Sequence, residues 1–335
     1  MTPSMHSDLF SAKLKGFLSC AFFVVQRYAG TRIGRGAAGQ TEGDGKIGWK
    51  TSIKHREIEK MKQDGTPIAM ITAYDYPSAQ LAEEAGADML LVGDSLGNVV
   101  LGYDTTIPVT LDDMVHHSRA VARGAQHTFI VTDMPFMTYH GSVEETLKNV
   151  RRLMQEGHAH AVKMEGGAEI ALAVQSIVQA GVPVLGHIGL TPQSVNQIGG
   201  YRIQGKDAQD ARRLLEDAKA LERSGAFGIV LELVTEEVAE AISKELSIPT
   251  IGIGAGRGCD GQVLVFHDVL KYTPDYRDKR FVKTYADIGA QIRSGISEYV
   301  REVKTRAFPA QEHVFAAEDG VLETLYGKGK VETKA

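Results

Sequence analysis

From residue 50 onward the chain repeats one unit: a short apolar run, a turn, an amphipathic stretch, a glycine. No other feature constrains the fold as much, because strands alternating with helices give a parallel sheet buried on both faces. The apolar runs lie at residues 68–72, 89–93, 128–132, 161–165, 182–187, 228–233, 250–254 and 262–266, with β-branched or aliphatic centres. Amphipathic stretches predict helices over 78–85, 111–122, 143–156, 168–179, 208–223 and 236–245. Several end at glycine, as at Gly86, Gly124, Gly157, Gly181 and Gly225, the usual stop through a left-handed residue. Eight such strands predict an α/β fold, a (β/α)8 TIM barrel. An open doubly wound sheet shares the alternation. However, Ala73-Tyr74-Asp75 after the first strand lacks the glycine-rich turn of a dinucleotide-binding fold. The gap between the last two strands leaves room only for a shortened helix or none. A final helix over 286–306 would cap the barrel or mediate assembly.

The first 48 residues differ from the rest. They are basic, with Lys13, Lys15, Arg27, Arg32 and Arg35, and hold an apolar run over 17–25 that is too short to span a bilayer. No A-x-A cleavage pattern follows it closely. The stretch reads as an atypical N-terminal extension, disordered ahead of the domain, with an organellar address as the alternative. Residues 39–45 then form a glycine-rich linker, leaving 49–327 as the catalytic barrel with its C-terminal helical segment and 328–335 as a tail. The 43% hydrophobic content excludes disorder as the dominant state. With 37 basic against 42 acidic side chains, no basic excess points to nucleic acid. Cys20 and Cys259 are too few for a disulfide framework or a thiolate metal site. A cytoplasmic protein without membrane or nucleic-acid partners is expected, with a mitochondrial location as the alternative if the extension is an address.

Barrel chemistry sits at the carboxyl ends of the strands. There the chain carries Asp94-Ser95, Asp133, Lys163 with Glu165, His187, and Glu232. Alternation puts Lys163 and Glu165 on one face of their strand, and the apolar Val162 and Met164 claim the helix-facing side. Lys163 and Glu165 therefore point into the barrel, where unpaired charges are costly. One lysine does not balance Asp94, Asp133 and Glu165, so a divalent cation completes the set, and all-oxygen ligands favour Mg2+ over Zn2+. Each acid taken singly could instead cap a helix or face solvent, although Asp133, followed by Met134-Pro135, is poorly placed as a cap. His187 could touch substrate or be a satisfied core histidine, and the latter is favoured. His116, His117, His158 and His160 read as ordinary surface or interface residues. The glycines at 252, 254, 256 and 258 could bind phosphate or merely permit crowding, and the long polar loop over 190–205 reads as a lid or substrate contact.

Several ordered motifs carry a resemblance. They include Met70-Ile-Thr-Ala-Tyr-Asp-Tyr76, Leu91-Val-Gly-Asp-Ser-Leu-Gly97, Thr132-Asp-Met-Pro-Phe136, Val162-Lys-Met-Glu-Gly-Gly167 and His187-Ile-Gly-Leu-Thr-Pro-Gln193. With 199–206, 252–256 and 306–309, they resemble the ketopantoate hydroxymethyltransferase family, over about residues 50–327. The resemblance implies a barrel related to those of phosphoenolpyruvate mutase and isocitrate lyase. It further implies hydroxymethyl transfer from 5,10-methylenetetrahydrofolate to 3-methyl-2-oxobutanoate, giving 2-dehydropantoate for pantothenate and coenzyme A biosynthesis, through Mg2+-assisted enolate formation. On the matched positions Asp94 and Asp133 would hold Mg2+, with Glu165 a third ligand directly or through water. Asp94, Ser95, Asp133 and Lys163 would bind the oxo acid, and Glu232 would accept the proton. A homo-oligomer, typically a decamer, is implied as well. A Mg2+-dependent carbon–carbon lyase of the isocitrate lyase type is the alternative; it needs a cysteine at the reacting centre, for which Cys259 is the candidate.

Overall fold

The computed structural model describes residues 55–326 except 201, 275 and 276. The expected extension over 1–48 and the tail over 328–335 lie outside the described residues. Eight parallel strands run in chain order: β1 (Ile68–Thr72), β2 (Met89–Val92), β3 (Phe129–Asp133), β4 (Ala161–Glu165), β5 (Val184–Gly189), β6 (Gly228–Glu232), β7 (Thr250–Ile253) and β8 (Gly261–Leu264). Each pairs with the next, and β8 pairs back onto β1 through Met70 and Val263, so the sheet is a closed barrel and not the open alternative.

Around the strands lie α1 (His55–Gln63) before β1, α2 (Tyr76–Glu84) after it, and α3 (Leu96–Val99) and α4 (Leu111–Gly124) after β2. Then come α5 (Val143–Gln155), α6 (Ala171–Gln179), α7 (Val195–Ile198), α8 (Ala208–Arg223) and α9 (Glu236–Glu245). The series ends with α10 (Phe266–Leu270), α11 (Ile288–Thr305) and α12 (Val321–Tyr326).

The two-residue period of the strands sorts the core into two layers. Inside the barrel Met70, Met89, Leu91, Val131, Ala161, Leu185 and Val230 pack together. Outside it Leu90, Val92, Ile130, Val162, Met164 and Ile229 pack against Met114, Leu153, Ile177 and Leu221 of the helices. Several helix starts are fixed by side chains. Asp75 accepts the Ser78 N–H at 2.8 Å to start α2, Thr110 and Asp113 form a reciprocal box at α4, and Asp207 caps α8.

Several details depart from the sequence reading, among them the short helices α3, α7, α10 and α12, which were not expected. α1 was not foreseen: its short charged segment buries only Ile58, which joins the inner layer. The strand expected to reach 266 stops at Leu264 because Phe266 begins α10. Gly86, Gly181 and Gly225 adopt positive φ as expected, but Gly124 and Gly157 do not. At Gly124 glycine is needed for close approach, since a Cβ there would run into the backbone oxygen of Tyr76. The β7–β8 connection has no helix, as its length predicts. α11 does not cap the barrel: none of its residues is buried, and Ile292, Ile296, Tyr299, Val300 and Val303 are exposed. Among the described residues no helix is long and apolar enough to cross a membrane.

Candidate active site

The strand ends meet in one cavity of about 400 Å3, lined by Asp94, Ser95, Asp133, Lys163, Glu165, His187 and Glu232 among others. Every residue singled out from the sequence for metal, substrate or proton transfer is therefore brought to the same place. The register explains how. β3 sets Asp133 beside Lys163 of β4, and β4 sets Glu165 beside His187 of β5. Asp94 and Ser95 follow directly on β2, at a turn where Gly93 leaves space. A Cβ there would sit 2.8 Å from Ser95 Oγ and 3.6 Å from Asp133 Oδ2.

Lys163 is the hub. Its Nζ lies 3.2 Å from Asp133 Oδ1, 3.8 Å from Glu165 Oε1 and 3.0 Å from His187 Nδ1. Burial alone would lower the pKa of its ammonium, but Asp133, Glu165 and Asp94 outweigh it and hold it above the usual lysine range. His187 is pushed down, first by burial and then by Lys163. A neutral ring fits its partners: Nε2–H donates to Leu190 O at 2.9 Å, leaving Nδ1 to accept from Lys163. The same Nε2 lies 3.3 Å from Glu232 Oε2. Glu232 is the least enclosed of the four carboxylates, its side chain 16% exposed. Its backbone is fixed by the next residue: Leu233 takes a left-handed φ of 47°, donates to Ile253 O at 2.9 Å and accepts from Gln204 N–H at 2.7 Å. A non-glycine residue in that region stores about 1–3 kcal/mol and persists where neighbours enforce it.

Three groups in the cluster were not picked out from the sequence. Gln193 is buried; its Nε2 donates to Asp94 Oδ2 at 2.8 Å and Met134 O at 3.0 Å, and its backbone N–H donates to Glu165 Oε2 at 3.0 Å. The Tyr139 hydroxyl donates to Gln193 Oε1 at 2.8 Å and accepts the Glu165 N–H at 3.1 Å. The Tyr74 hydroxyl lies 2.9 Å from Ser95 Oγ. Their sequence signals were indirect: Gln193 lies in the loop over 190–205 read as a lid or substrate contact, Tyr74 and Gln193 fall within the quoted motifs, and Tyr139 only follows a strand end. His187 is a fully bonded core histidine, as favoured, yet it also lines the cavity. His116, His117, His158 and His160 do not line it.

The donor set can be tested against a divalent cation. Asp94 is pushed up to about 7, by burial first and then by Asp133, and Glu165 is raised well above the carboxylate range, again mainly by burial. Among the described residues Asp133 Oδ1 is buried without a hydrogen bond, its one close cation being Lys163. The cluster is thus short of positive charge. Among the described residues no three side chains converge into a ready cage for a metal. An open set of carboxylates suits Mg2+, which keeps several waters and takes one or two carboxylates plus substrate oxygens. The residues fit that ion.

Two other expectations resolve here. In the glycine-rich segment, the Arg257 N–H donates to Glu236 Oε1 at 3.1 Å, and crowding against Glu236 and Glu240 of α9 accounts for Gly256 and Gly258. Gly254 instead takes a left-handed φ of 64° beside Leu233 and Phe281, and Gly252 lies against Cys259 and Gln262. Cys259 packs with the outer core layer and does not line the cavity, so a lyase of the isocitrate lyase type lacks its sulfur.

Comparison with known proteins agrees. A profile described as "Ketopantoate hydroxymethyltransferase" matches residues 52–311. A protein of Bacillus cereus named 3-methyl-2-oxobutanoate hydroxymethyltransferase is 58% identical over 268 residues, covering 80% of this chain and 96% of the relative. A protein of the same name from Bacillus anthracis is 57% identical over the same length and coverage. Among solved structures, phosphoenolpyruvate phosphomutase from Streptomyces platensis superposes with a TM-score of 0.51 at 15% identity, covering 82% of this chain and 94% of that one. A 2,3-dimethylmalate lyase of the PEP mutase/isocitrate lyase superfamily gives 0.50 at 16% identity, over 82% and 92%. At such identities the likeness establishes the barrel type alone.

Proposed function

Because the chain belongs to the ketopantoate hydroxymethyltransferase family, we propose that it transfers a hydroxymethyl group from 5,10-methylenetetrahydrofolate to 3-methyl-2-oxobutanoate, forming 2-dehydropantoate in pantothenate biosynthesis. The observation that carries this reading is the placement of buried Lys163 between Asp133 and Glu165, with Glu232 across the same cavity beside His187. That is a site for a small anion whose neighbouring C–H must be ionised.

Asp94 and Asp133 would hold Mg2+, with Glu165 as a third ligand. The ion would supply Lewis acidity toward the keto oxygen and carboxylate of the oxo acid. Lys163 adds a fixed positive charge in a cavity poor in water, where it acts more strongly than in solution. Ser95, held by the Tyr74 hydroxyl, binds the oxo acid beside it. Glu232 takes the C3 proton onto a carboxylate oxygen, oriented by the His187 Nε2 side. C3 then forms the new carbon–carbon bond with the one-carbon unit of the folate; both C–N bonds to that carbon break, water supplies the hydroxyl oxygen, and tetrahydrofolate leaves. The least enclosed carboxylate does the proton transfer, since it must release that proton again.

A homo-oligomer, as the decamer implied by the family, belongs to the same proposal and is supported by the exposed apolar side chains of α11. The function is tested by incubating the protein with both substrates and Mg2+ and following 2-dehydropantoate. Product that depends on both supports the reading, and its absence rejects it. For the metal, Asp133→Asn should weaken Mg2+ and oxo-acid binding together in calorimetry. Unchanged oxo-acid affinity with and without Mg2+ would sink the shared site.

A further inference from the structure

The cavity has two halves of unlike chemistry. The arc from β2 to β6 supplies every group proposed so far to touch the metal, the oxo acid or its proton. The arc that closes the ring through β7 and β8 is apolar, with Ile253, Val263, Leu264, Val265 and Phe281 on the wall. One carboxylate interrupts it. Asp268, in α10, is 5% exposed and lines the cavity, and its Oδ2 accepts from Lys279 Nζ at 2.6 Å. Lys279, its side chain 44% exposed, leads from this pair toward solvent. Thr106 Oγ1 borders the same cavity too, buried and without a hydrogen-bond partner among the described residues.

A five-carbon oxo acid fills only part of a cavity this size, which is within the range that takes a much larger ligand. The charged half is sorted for an anion by Lys163. The other half opposes an anion, because its buried polar side chain is itself a carboxylate, and it favours a flat apolar-faced group with N–H donors. A carboxylate has two oxygens and about four acceptor positions, so Lys279 leaves it capacity for further donors. A reduced pterin ring presents adjacent N–H groups along one edge and two flat faces.

We propose that Asp268 is the acceptor for the pterin N–H edge of the one-carbon donor, with the ring lying against Phe281 and Val265 and Lys279 at the rim. The inference rests on the folate donor proposed above and assigns the residues that bind it. It places the donor's reactive carbon over the acid half, where C3 is deprotonated.

The test separates the two substrates. Exchange of the C3 hydrogen of 3-methyl-2-oxobutanoate into deuterated water needs no folate. In Asp268→Asn that exchange should stay within about two-fold of wild type. The KM for 5,10-methylenetetrahydrofolate, and the calorimetric affinity for tetrahydrofolate, should both worsen by roughly 10- to 100-fold, the scale of losing hydrogen bonds to a charged acceptor. Phe281→Ala, which leaves the Asp268–Lys279 pair in place, should show the same split to a smaller degree and serves if Asp268→Asn does not fold. Donor KM and tetrahydrofolate affinity within two-fold of wild type would overturn the assignment while leaving the function intact. Loss of exchange in Asp268→Asn would also overturn it, by placing the residue in the acid half. A wild-type protein that exchanges C3 yet makes no product with the folate would instead reject the donor itself.

Discussion

Gln193 ties together carboxylates that arrive on different strands, Asp94 after β2 and Glu165 on β4, and it is itself tied by Tyr139. Groups that orient metal-binding carboxylates typically matter by about 10- to 100-fold in metal affinity. Gln193→Ala should therefore weaken Mg2+ binding, read by calorimetry, by about 10-fold or more. It should also lower Tm, because the buried Asp94 carboxylate and the Met134 carbonyl lose the Gln193 amide as donor, an effect of about 1–3 kcal/mol. A variant with wild-type Mg2+ affinity would show that the carboxylates hold their positions without it. Glu232 makes a sharper prediction. Glu232→Gln keeps size and shape but cannot take a proton, so C3 exchange should fall by about 100-fold or more, the scale of general-base catalysis, while oxo-acid binding persists. Exchange at the wild-type rate would make another group the base, with His187, 3.3 Å away, the next to test. Asp94, Asp133, Lys163 and Glu165 were legible from strand position and alternation alone. Gln193 and Tyr139 were not, because their partners depend on the path of two loops across the mouth.

Among the elements, α11 stands apart. It is 18 residues long, started by Asp287 accepting the Ala290 N–H at 2.9 Å, and yet has no buried residue among the described ones. Helices this long usually draw their stability from an apolar stripe packed on a neighbour. Ile292, Ile296, Tyr299 and Val303 recur at spacings of three and four and form such a stripe. A second copy of the chain is the cover proposed above. Ile296→Glu with Tyr299→Glu should lower the mass of the assembly measured by light scattering, with the barrel's far-ultraviolet circular dichroism retained. An unchanged mass would move the interface elsewhere.

At the scale of the molecule, the family match begins at residue 52 and the first described helix at His55. A chain begun at residue 46 should therefore fold and turn over as the full one does. Aggregation or loss of most activity would show that the apolar run over 17–25 serves the domain. What the sequence determined by itself was local: which runs are strands, where capping side chains start helices, and that Lys163 and Glu165 share the inward face of β4. Those facts follow from periodicities of two and 3.6 residues and from side chains bonding to their own neighbours. What only the tertiary structure decided was convergence. Closing β8 onto β1 sets the charged arc from β2 to β6 across from an apolar arc interrupted by Asp268. It also brings Gln193 to Asp94, 99 positions earlier in the chain. Contacts of that span depend on the register of every strand between them, which no local pattern encodes.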